Sequence, residues 1–213
     1  MILRSLFLGA TLAAALTGQA SAIPLTDLFN TGVDAAGVAL GDNALDTHYA
    51  VIVAPDPTPL GQPLAATSAG GFPVGPWIGD STVSAWISPK SDTNGPVGDY
   101  VFRTTFDLTG LDPLQTSIAG QWSIDNSAIG IYLNGGFVGQ FNNSFTSFVP
   151  FAVTSGFVSG INTLDFAINN AGGPVGVRVE MTGTSQPVPE PSTYGLMIAG
   201  LLGAGAVARR RSK

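Results

Sequence analysis

The chain has 213 residues, with 28 glycines, 15 prolines, one histidine, no cysteine and a formal net charge of −6. The lack of cysteine excludes disulfides, a thiol nucleophile and thiolate metal sites, and a single histidine excludes a histidine-rich metal centre. Positive charge sits at the ends, in Arg4 and in Arg209, Arg210, Arg211 and Lys213. Residues 23–187 keep only Lys90, Arg103 and Arg178 against every acid except Glu190. A body this acidic repels phosphate backbones and argues against nucleic acid as a partner; it suits simple solubility, neutral sugars or cations.

In chain order, residues 1–22 read as a secretory signal peptide. Arg4 precedes an apolar run, and Ala20-Ser21-Ala22 supplies a small-residue cleavage site. Residues 23–186 have the length of one domain. GDNALD (41–46) comes first, an acidic loop ahead of the first predicted strand. Strands are predicted at THYAVIVA (47–54), STVSAWIS (81–88), DYVFRTTFDL (99–108), TSIAGQWSI (116–124) and AIGIYLN (128–134). Four more are GFVGQF (136–141), SFVPFAVT (147–154), NTLDFAIN (162–169) and VGVRVEMTG (175–183). Several alternate polar and apolar residues, no helical period is sustained, and turn residues separate the runs, which points to an all-β sandwich of the jelly-roll kind. Asn134-Gly135-Gly136 supplies the positive φ of a tight hairpin. Residues 55–76, rich in Pro and Gly, read as a long loop, Asp112-Pro113 as a chain break, and 184–189 as a linker.

Sites are sparse. His48 has no nucleophile elbow and no second histidine to accompany it, and most acids sit in turns, so no catalytic residue is assigned and the chain reads as non-enzymatic. A hydrolase using two unrecognised acids is the weaker alternative. Asp42, Asn43 and Asp46, with Glu180 from the last strand, have the oxygen chemistry of a structural calcium site; the same residues also read as an Asx-rich turn. Trp77, at the end of the Pro/Gly loop, is expected to be exposed and to stack on a sugar, with Asp125 and Asn126 as hydrogen-bonding partners. Trp86 and Trp122 are expected in the core. Asn142-Asn143-Ser144 matches a glycosylation sequon.

The tail VPEPSTYGLMIAGLLGAGAVARRRSK joins Pro189-Glu190-Pro191, an apolar run (193–208) and the basic stop Arg209, Arg210 and Arg211. It resembles the PEP-CTERM sorting signal of exported proteins of Gram-negative bacteria. The resemblance implies processing near Pro189, Glu190 and Pro191 by an exosortase-like membrane enzyme. The apolar run is expected as a transmembrane helix tethering the chain to the inner membrane, with the basic stop cytoplasmic and the domain periplasmic before it reaches the surface. The stretches IYLNGG and GINTLDFAINN are similar to galactose-binding-like jelly rolls, which implies carbohydrate or surface binding. The combined expectation is a surface protein contacting exopolysaccharide. A self-associating matrix protein without sugar binding is the alternative.

Overall fold

A computed structural model describes residues 21–73, 75–139, 144–189 and 191–211. Residues 1–20, Glu190 and Asn142-Asn143 lie outside them, and with them most of the expected signal peptide, the centre of the sorting motif and the sequon. The strands are β1 (Ile23–Pro24), β2 (Tyr49–Val53), β3 (Leu64–Ala66), β4 (Trp86–Ser88), β5 (Asn94–Gly95), β6 (Gly98–Asp107) and β7 (Leu111–Asp125). They continue with β8 (Ser127–Leu133), β9 (Gly136–Gly139), β10 (Val149–Val153), β11 (Ile161–Asn170), β12 (Gly173–Pro174) and β13 (Gly176–Pro187). One helix, α1 (Pro191–Arg211), follows.

The first sheet runs β10-β7-β13-β4-β3, with β1 also on β13; the second runs β2-β6-β11-β8-β9. Every pairing between these strands is antiparallel, and four of them nest: β8 with β9, β7 with β10, β6 with β11, and β4 with β13. The chain therefore behaves as one long hairpin folded over on itself. Its tip is Asn134-Gly135, both at positive φ (51° and 78°), the geometry that lets a tight turn follow the strand twist.

Alternation explains the layers. In β6, Tyr100, Phe102, Thr104 and Phe106 are buried while Val101, Arg103, Thr105 and Asp107 face out. In β13, Val177, Val179 and Met181 enter the main core, leaving Arg178, Glu180 and Thr182 on the other face. The two inner faces meet at Phe166 of β11. Its ring lies 5.8 Å from Trp122 (β7), 5.8 Å from Phe151 (β10) and 6.4 Å from Tyr49 (β2). Trp122 is in the core, as expected.

Several boundaries differ from the expectation. β7 begins at Leu111 and runs through Asp112-Pro113, because Leu111 and Asp112 pair with Pro187 and Gln186. Residues 184–187, read as linker, are the end of β13 for the same reason. The loop at 55–76 is partly ordered: Leu64–Ala66 pairs with β4, and Gly61 bridges to Val51.

The tail requires a further correction. α1 forms, but among the described residues no helix is long and apolar enough to cross a membrane. Proline, serine, threonine and tyrosine open the helix and three arginines end it. The apolar part between them spans only about 21 Å at 1.5 Å per residue, against a hydrocarbon core of about 30 Å. The expected transmembrane anchor over 193–208 is not supported.

Candidate functional site

The two outer faces of the sandwich differ in their cover. On the first sheet, Trp86 points away from the main core and Trp77 lies on it, ring centroids 4.2 Å apart; Phe72 meets Trp77 edge-on at 5.5 Å. Ala66, Ile78 and Phe145 complete this second, smaller core. Beside it Arg178 is buried. Its Nε donates to Ser84 Oγ at 2.7 Å, its Nη1 donates to the Gly79 carbonyl at 2.6 Å, and its guanidinium lies over Phe148. Burial lowers the Arg178 pKa from its ordinary value, opposed by the charges of Glu180 and Asp80.

This cover corrects the expected sugar site. Trp77 is only 8 % exposed, and one face of its ring is occupied by Trp86, so it is not available for stacking. The structure does bring Trp77 and Asp125 together, by a 2.9 Å bond from the indole Nε1 to Oδ2. Asn126 Oδ1 accepts from the Ala171 amide at 2.7 Å, and its Nδ2 donates to Asp125. The three residues lock a loop onto the sheet.

Burial raises the Asp125 carboxyl above its ordinary 3.8, and the Trp77 bond only partly offsets this. The folded state thus keeps this proton at pH values where the unfolded chain has released it. The stability from this group is complete below 3.8 and is lost as pH rises through the folded value. Asp125→Asn retains an acceptor for Trp77 and removes that loss. Its urea midpoint relative to the parent is expected to be higher at neutral pH than in acid.

The expected calcium ligands are dispersed. Asp42 accepts from the Thr67 amide at 2.9 Å and from Asn43 Nδ2 at 2.6 Å. Asp46 is fully buried and accepts from the amides of Gly32 (2.6 Å) and His48 (2.8 Å). Burial raises its pKa, with those two backbone bonds opposing. Glu180 lies on the first sheet, bonded to Ser84 and Gln121. Among the described residues, no group of three or more His, Cys, Asp or Glu side chains could hold a metal. Asp42 and Asp46 brace backbone amides, and only the Asp46–His48 bond is the local contact of an Asx turn.

A different concavity lies over the second sheet, a cavity of about 280 Å³ lined by Asp27, Phe29, His48, Thr105, Asp107 and Ile161. The His48 and Phe29 rings are stacked, centroids 3.7 Å apart and planes 20° from parallel. His48 Nδ1 lies 3.1 Å from the Val33 carbonyl, which orients the ring. Asp27 Oδ2 accepts from the Asp107 amide at 2.5 Å, and Asp107 Oδ1 accepts from the Thr109 amide at 2.8 Å. An aromatic pair, two carboxylates and a threonine hydroxyl thus share one open pocket. Sequence alternation places His48 outward, one residue before the buried Tyr49. Nothing in the aperiodic segment around Phe29 signals that it folds back onto the histidine.

The tail resolves the question of address. Residues 187–212 match the family model of the PEP-CTERM protein-sorting motif. The chain carries a PEP-CTERM sorting motif. The motif marks an exported protein directed to exosortase, sorted while anchored at the membrane and then processed. The match covers the tail alone and assigns nothing to the sandwich. A search of curated proteins finds no match to this chain.

Proposed function

We propose that this PEP-CTERM protein is a non-enzymatic, surface-directed jelly roll that contacts extracellular polysaccharide. The nested pairing of β4 with β13, β6 with β11, β7 with β10 and β8 with β9 supports the jelly-roll reading, since that fold is a long antiparallel hairpin wrapped into two sheets. The sandwich faces the periplasm until the tail is processed, and the cell surface or matrix afterwards.

The observation that carries the binding reading is the Phe29–His48 pocket. Sugar rings offer apolar faces to aromatic side chains and hydroxyls to carboxylate and threonine oxygens, and this cavity offers both partners. Its carboxylates already serve backbone amides, and no positioned nucleophile accompanies the histidine, which favours binding over hydrolysis. Affinity electrophoresis of the full chain through gels containing neutral polysaccharides tests this. The parent is expected to be retarded and Phe29→Ala to run measurably faster. Equal mobility in gels with and without every polysaccharide would remove the binding role and leave the self-associating matrix protein as the better reading.

A further inference from the structure

The first sheet is covered on its outside around Trp77 and Trp86, while the second carries an aligned row of side chains across all five of its strands, from the buried Asp165 at its centre to the exposed Phe137 at its edge. Cross-strand register aligns Ala50 of β2 with Arg103 of β6, Arg103 with Asp165 of β11, Asp165 with Tyr132 of β8, and Tyr132 with Phe137 of β9. Arg103 grips Asp165 with two bonds, Nε to Oδ1 at 2.6 Å and Nη2 to Oδ2 at 2.7 Å. The bond and the charge of Asp165 raise the Arg103 pKa further, with burial opposing. Tyr132 and Phe137 meet edge-to-face with centroids 5.4 Å apart.

Phe137 is 61 % exposed, yet it has a prepared seat. A Cβ at Gly130 would lie 2.6 Å from Phe137 Cε2, so the glycine leaves the space into which the ring lies down on the sheet. Holding a large aromatic in water has no value for the core, which is on the other side of the sheet. The row also carries no net charge, because its one cation is paired with its one anion. That sets it apart in a domain where acids outnumber bases. Thr105, two residues along β6 from Arg103, and His48, two residues before Ala50 and just ahead of β2, both line the Phe29–His48 pocket.

We infer that the Arg103–Asp165–Tyr132–Phe137 row is a stacking platform for a neutral polysaccharide chain, continuous with the pocket. This rests on the polysaccharide reading above and names its ligand class and second contact. Tyr132 and Phe137 supply apolar contact for a sugar ring, and Arg103, partly exposed and held in place by the buried Asp165, supplies guanidinium donors for ring hydroxyls. The surrounding negative charge disfavours a polyuronate on the same surface.

The test measures affinity of the full chain for a soluble β-glucan, a galactomannan and a polyuronate. Parent, Phe137→Ala, Tyr132→Ala and Phe29→Ala are compared, with urea unfolding of each as a check on folding. Binding to a neutral polysaccharide, weakened roughly five- to tenfold by Phe137→Ala at an unchanged unfolding midpoint, supports the platform. Binding that Phe29→Ala weakens but Phe137→Ala and Tyr132→Ala leave intact overturns the platform and keeps the pocket. Tighter binding of the polyuronate than of either neutral chain overturns the ligand class. No binding by the parent removes the platform and the polysaccharide reading together.

Discussion

Phe166→Ala is expected to lower stability by about 3–5 kcal/mol, the range for removing a fully buried phenylalanine ring. The size follows from its place between the sheets. Its ring touches Trp122 and Phe151 on the first sheet and Tyr49 on its own, and it has no exposure at all. Those neighbours are large rings buried in one close-packed core, with Trp122 held on β7 between β10 and β13, so they cannot collapse fully into the space left behind. Urea denaturation gives the measurement: a large fall in midpoint with an unchanged slope. Phe166→Leu keeps much of the volume and is expected to recover a good part of the loss.

Asn162→Ala is expected to cost about 2–4 kcal/mol, from buried partners left without bonds rather than from lost volume. Asn162 is completely buried. Its Nδ2 donates to the carbonyls of Val158 and Gly160, both at 2.8 Å. Its Oδ1 accepts from Asn134 Nδ2 at 2.8 Å and from the Val158 amide at 2.9 Å. That fills all four positions an amide side chain can offer. Asn134 in turn donates to the Gly156 carbonyl and accepts from the Thr163 amide. The two asparagines clamp the hairpin tip to the loop that sets Phe157 against Phe106, and Phe106 lines the pocket. Amide hydrogen exchange in Asn162→Ala should therefore quicken first across 156–163, before the sheets open globally.

The strand framework is legible in the sequence because it is local. Alternation in β6, the Asn134-Gly135 turn and the apolar faces of β11 and β13 each fix their structure within a few residues. The stretches IYLNGG and GINTLDFAINN are joined in the fold by the bond between Asn134 and Asn162. What is not legible depends on contacts between distant segments. The Pro/Gly surroundings of Trp77 suggest exposure; a flat neighbour, Trp86, buries it, and strand alternation alone gives no account of a second core outside the sheet. The acids with calcium-ligand chemistry are acceptors for amides far away in sequence, such as Asp42 for Thr67 and Asp46 for Gly32. The pocket depends on Phe29 folding back onto His48, and the platform on a register across five strands that no single strand encodes. The sorting motif is found directly because a short linear signal carries its meaning without a fold. The same linear reading overestimates the helix as a membrane anchor, since spanning depends on the length of unbroken apolar residues.

The position of β13 has a consequence for how the protein is made. It is the latest strand in the sandwich, yet it lies inside the first sheet, between β7 and β4, and β1 also pairs with it. The sorting motif begins at Pro187, where β13 ends, and the Val188 amide still donates to the Gly110 carbonyl. The sheet is therefore incomplete, with a vacant central slot, in any chain that lacks the residues bordering the motif.

That vacancy sets an order of events. Pairing of β13 with β4 and β7 joins segments far apart in the chain, the slow kind of contact to form. Closure of the first sheet therefore needs residues 176–187 in place. The bond from the Val188 amide to Gly110 then seats the edge of the motif against the finished sheet. A cut at Pro189 to Pro191 spares the central strand, whereas a cut a few residues earlier would remove part of it. The last residues of the fold and the sorting motif are therefore neighbours in the chain, with barely a turn between β13 and Pro189.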